Sequence, residues 1–110
     1  MNIQHKDLAA GRWQNLSFFE QMANIGSEIE RTITWKQKEN DDYAQQAFDR
    51  ALELIDLTIQ DTKNKPHLRE IVRVREALAD FFVFNNVYNT TSQIWQKYFF
   101  SFAYAARVKR

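Results

Sequence analysis

Only three of the 110 residues are glycine or proline: Gly11, Gly26 and Pro66. Tight turns lean on those residue types, which supply left-handed or pre-set backbone dihedrals. So thin a supply leaves little to build hairpins with, and favours helices joined by short polar loops. The apolar pattern agrees. Phe18, Met22, Ile25, Ile29 and Ile33 recur at steps of three and four. So do Ala44, Ala47, Phe48, Ala51, Leu54, Ile55, Thr58 and Ile59. That is the period of a helix with one buried face. With 45% apolar residues the chain has material for one core, and its length is common for one domain.

The helix ends are marked. Ser17 followed by Glu20 matches a capping box, and predicts a first helix to about Lys38. Lys36 to Asp42 is the connection, with Asn40 or Asp41 capping a second helix. Asp61 to Pro66 reads as a loop. Pro66 would open the third helix, where its missing N–H costs nothing, and that helix would run from His67 to about Phe84. Asn85 to Thr91 is a loop, and Thr90 with Gln93 offers another capping box before a fourth helix from Ser92 to about Arg107. Residues 1–15 read as an N-terminal extension with Trp13 as an anchor, and residues 16–110 as the folded domain. The expected class is all-α: an antiparallel up-down four-helix bundle, a single domain, and oligomeric.

Several function classes lose support. Without cysteine there are no disulfides, thiolate metal sites or cysteine nucleophiles. His5 and His67 lie too far apart for metal-ligand spacing. Glu28 with Glu30, and Asp41 with Asp42, lack the Glu-x-x-His spacing of di-iron bundles. No glycine-rich phosphate loop, Gly-x-Ser-x-Gly or His-Glu-x-x-His is present. No metal and no cofactor is expected. The start, Met-Asn-Ile-Gln-His-Lys, has no apolar h-region, and no stretch approaches the roughly 20 apolar residues of a membrane span. The expectation is a cytoplasmic protein with no membrane role.

The third helix carries the features that point toward function. Leu68, Ile71, Arg75, Leu78 and Phe82 fall on one face, so Arg75 interrupts an apolar stripe. An arginine there must find a partner, snorkel out, or face an interface or cleft. A second stripe, Arg69, Arg73, Glu76 and Asp80, alternates in sign, so Arg73 could pair with Glu76 and Asp80 along a solvated face. Charge is also uneven along the chain: residues 1–61 sum to −5 and residues 62–110 to +6. The basic half could meet RNA or an acidic partner, or the halves could attract each other. Arg69, Arg73 and Arg75 are the candidate nucleic-acid contacts.

The fourth helix holds Trp95, Tyr98, Phe99, Phe100, Phe102 and Tyr104. Trp95, Tyr98 and Phe102 suit a bundle core. Phe99 and Phe100 cannot both share that face, which suggests a second buried surface, with Phe99 and Phe100 at an oligomer interface. A platform for single-stranded bases is the alternative, but only Lys97 is interleaved.

Arg50-Ala-Leu-Glu-Leu-Ile55, then Pro66, Leu68-Arg-Glu-Ile71, Arg75-Glu-Ala-Leu-Ala-Asp-Phe-Phe82 and a downstream Trp95 resemble the HEPN domains. The likeness is to the small toxins paired with minimal nucleotidyltransferases. That resemblance implies a dimerising helical bundle in a toxin–antitoxin or defence setting, cleaving RNA without metal, with a nucleotidyltransferase as a possible partner. The family signature is Arg, four residues, His, any residue, Tyr. Arg75 matches the arginine, which in the family lines a cleft at the dimer interface. Asp80 stands at the histidine and Phe82 at the tyrosine. Two readings of the resemblance follow: a non-catalytic module that binds protein or RNA, or a ribonuclease with Arg75 and Asp80 as catalytic residues. The length and helical layout also resemble small bacterial four-helix proteins of the 23S rRNA intervening-sequence type and retroelement accessory proteins, which implies an oligomeric adaptor or nucleic-acid-binding accessory.

Overall fold

Ser17 opens the first helix through both halves of a capping box. Its hydroxyl accepts the Glu20 N–H at 3.1 Å, and the Glu20 carboxylate accepts the Ser17 N–H at 3.0 Å. The computed structural model describes residues 11–108, and they form four α-helices with no strand among them. These are α1 (Phe18–Gln37), α2 (Asp41–Gln60), α3 (Leu68–Phe82) and α4 (Ser92–Val108). Short 3-10 stretches, Trp13–Asn15 and Thr62–His67, precede α1 and α3.

The link from α1 to α2 is as short as its hydrogen bonds allow. Asn40 N–H reaches the Trp35 carbonyl and Glu39 N–H the Lys36 carbonyl, a Schellman closure. Glu39 holds the left-handed position, φ 59°, where glycine is usual. Asn40 then caps α2 by accepting the Tyr43 N–H. α1 packs against both α2 and α4, and α3 packs against α2. The core comprises Met22, Ile25, Ile29 and Ile33 from α1, Phe48, Ala51, Leu54 and Ile55 from α2, Ile71, Val74 and Leu78 from α3, and Trp95 and Phe99 from α4. At the crossing of α1 and α4, Gly26 lies so close to Phe99 that an added Cβ would stand 2.7 Å from the Phe99 Cβ.

Several sequence expectations are corrected. Trp13 is buried, and its indole N–H donates to Thr58 Oγ1 at 2.9 Å. Trp13 thus anchors this turn in the core, while Gln14 and Asn15 stay exposed; residues 1–10 lie outside the described residues. Pro66 sits inside the 3-10 stretch, and α3 starts two residues later than that proline. α4 is capped by Thr91, whose hydroxyl accepts the Ile94 N–H, rather than by Thr90. The Thr90 hydroxyl instead accepts the Trp95 indole N–H at 3.0 Å. His67 stacks flat on Phe18, ring centroids 4.0 Å apart.

A buried polar cluster fixes one end of the molecule. Gln21 donates to the Trp13 carbonyl and to Asp61 Oδ2, and accepts from Asn64 Nδ2. Asn64 also donates to the Thr58 carbonyl. Burial opposes the charge on Asp61. The Lys63 and Gln21 side chains, the Lys63 backbone N–H and the ammonium charge together outweigh it, holding this carboxyl below the usual range. Farther along α1, buried Glu28 receives Arg50 Nε at 2.5 Å and Arg31. Glu30 is exposed and accepts from Gln96. The two glutamates therefore work apart, not as an acid–base pair. Among the described residues no three histidine or acidic side chains gather to hold a cation, and no helix is long and apolar enough to cross a membrane.

Candidate functional site

The third helix decides what the sequence-predicted residues do. Its buried positions are Ile71, Val74, Leu78 and Asp80. The core stripe therefore passes through Val74, and Arg75 lies beside it. Arg75 Nε donates to Asp56 Oδ1 of α2 at 2.9 Å, with both side chains about two-fifths exposed at 39% and 42%. The interruption of the stripe thus resolves as an arginine that snorkels to an ion pair at the edge of the α2–α3 contact.

Asp80 departs furthest from expectation. It makes no ion pair with Arg73; Arg73 and Glu76 are exposed and form no ion pair among the described residues. Asp80 is instead 9% exposed and folds under the loop joining α3 to α4. Its Oδ1 accepts the Val87 N–H at 2.8 Å and its Oδ2 the Tyr88 N–H at 3.0 Å. Its own carbonyl accepts the Asn86 N–H. Asn86 bridges to Thr90 in both directions, donating to its carbonyl and accepting its N–H. Asn86 and Asn89 take the left-handed conformation, φ 52° and 55°, which asparagine tolerates better than most residues. A loop without glycine is in this way held in one shape by an aspartate, two asparagines and a threonine.

That loop presents apolar side chains outward. Phe84 is 71% exposed and Val87 74%, and Val83 and Tyr88 are more than half exposed. Residues 81–96 carry no charged side chain in a chain that is 26% charged. Isolated surface apolar residues need no explanation, but four on one ordered loop without a charge among them have the composition of an interface core. A hollow at the foot of the loop is lined by Ile33, Phe81, Phe82 and Ser92.

Arg75 and Asp80 are not brought together. They are five residues apart on one helix, so they point about 140° apart, one to α2 and the other under the loop. Arg69 and Arg73 lie one turn apart on an exposed face of α3, and exposed Lys65 precedes them in the 3-10 stretch; none of the three forms an ion pair among the described residues. On α4, Phe99 is buried against Gly26 and belongs to the core of its own chain, whereas Phe100 is 61% exposed. Phe99 is thereby removed from the expected oligomer surface, because α1 approaches α4 closely enough to cover it. Tyr98 donates its phenol proton to Glu70 Oε2 at 2.6 Å. Burial, and then that carboxylate, push its pKa upward. No family model matches the chain, no curated protein matches it, and no solved structure matches it.

The ordered apolar loop escaped sequence reasoning, although one signal for it was present: the uncharged run from Phe81 to Gln96.

Proposed function

We propose that this chain is a non-catalytic interaction module, an antiparallel up-down helical bundle that offers its α3–α4 loop to an apolar pocket of a partner protein. One observation carries the reading. Asp80, which stands at the histidine position of the HEPN signature, has both carboxylate oxygens taken up by loop amides, and those bonds hold in place exposed Val87 and Tyr88, with exposed Phe84 on the same loop. A general acid or base needs an oxygen within reach of the proton it moves. Arg75 is likewise engaged, with Asp56. Presenting apolar groups from a pre-ordered loop lowers the ordering cost of binding. The likeness to HEPN toxins would make that partner a nucleotidyltransferase in a toxin–antitoxin or defence setting in the cytoplasm.

The test is photo-cross-linking in cells from a reactive residue placed at Val87. The expected result is one discrete protein adduct, lost in Asp80→Asn and in Phe84→Ser, and kept in Arg75→Ala. Absence of any adduct from that position refutes the reading.

A second reading has its own observation. Arg69 and Arg73 are exposed one turn apart on α3, with exposed Lys65 in the stretch before it, a set of charges that fits the phosphates of RNA. RNA binding through it would weaken with salt, and Arg69→Ala with Arg73→Ala would lower the slope of log affinity against log salt by about 2. An unchanged slope removes it.

A further inference from the structure

We draw no further inference here: the strongest candidate, the exposed apolar face of the α1–α4 pair around Phe100 and Tyr104, has charges of both signs along it and nothing in the structure shows what covers it.

Discussion

Asp80→Asn separates a residue that holds a loop from one that does chemistry. Asparagine keeps the shape and one acceptor oxygen, but turns an NH2 toward the second loop amide. Wild-type Asp80 makes two charge-assisted bonds, 2.8 Å to the Val87 N–H and 3.0 Å to the Tyr88 N–H. Hydrogen bonds to charged groups contribute about 1.5–3 kcal/mol each. The variant loses one bond outright and the charge assistance of the other. The freed amide belongs to a residue whose side chain is open to solvent, so water takes back part of the loss. The balance is about 2 kcal/mol, roughly 8 °C in melting temperature for a domain of this size. Locally the effect is sharper. The Val87 and Tyr88 amides should exchange with solvent about 30-fold faster, the ratio equivalent to 2 kcal/mol. Hydrogen exchange read residue by residue, beside a thermal melt, measures both. A solvated Asp80 pairing with Arg73 predicts a loss below about 0.5 kcal/mol and no local change. Unchanged exchange at Val87 and Tyr88 would refute the reasoning whatever the melt showed.

Three further outcomes follow from the same geometry. Gly26→Ala gains about 1 kcal/mol in helix propensity but drives a Cβ to within 2.7 Å of the Phe99 Cβ, the end of that side chain that cannot swing away. It should lower stability by about 1 kcal/mol net in a urea titration, and part of the penalty should persist in a Phe99→Ala background, because alanine keeps the Cβ that makes the closest contact; a more stable single variant contradicts the close approach. Arg75→Leu removes a half-exposed ion pair contributing about 0.2–1 kcal/mol and adds apolar surface beside Val74, so its urea midpoint should stay within about 0.5 kcal/mol of wild type; a loss above about 1.5 kcal/mol would show that Arg75 belongs to a tighter network. The Asp61 carboxyl is held below its ordinary range, so its contribution is present above the unfolded value near 4 and is lost as pH falls from there through the lower folded value; the acid limb of stability against pH should be shallower in Asp61→Asn, and identical limbs would exclude this contribution.

What was legible in the sequence is what local chemistry decides. Ser17 with Glu20, and Asn40, cap their helices as their side chains allow. The scarcity of glycine and proline leads to an all-helical chain among the described residues. What was not legible depends on which neighbour arrives. On α3, Ile71 and Leu78 can be joined through Val74 or through Arg75, and both tracks satisfy steps of three and four; only the side from which α2 packs selects Val74. Asp80 reads as one rung of a charged ladder until the loop folds back over it. Phe99 and Phe100 are adjacent aromatics of the same type, and they part company because Gly26 lets α1 come close enough to cover one of them. Thr90 and Thr91 are equivalent caps on paper, and the Trp95 indole claims the first.

These outcomes bear on function together. A catalytic centre needs a polar group whose reactive atom is not already satisfied, because stabilising a transition state requires an interaction that the resting protein does not make. Among the described residues the buried acids are Glu28, Asp61 and Asp80. Each is taken up by its own chain: Glu28 by Arg31 and Arg50, Asp61 by Gln21 and Lys63, Asp80 by the Val87 and Tyr88 amides. They hold helices and a loop in place. Surface features left without an internal partner include the apolar side chains of the α3–α4 loop, Phe100, and Arg69 and Arg73 of α3. It is on these surface features that the proposed binding module rests.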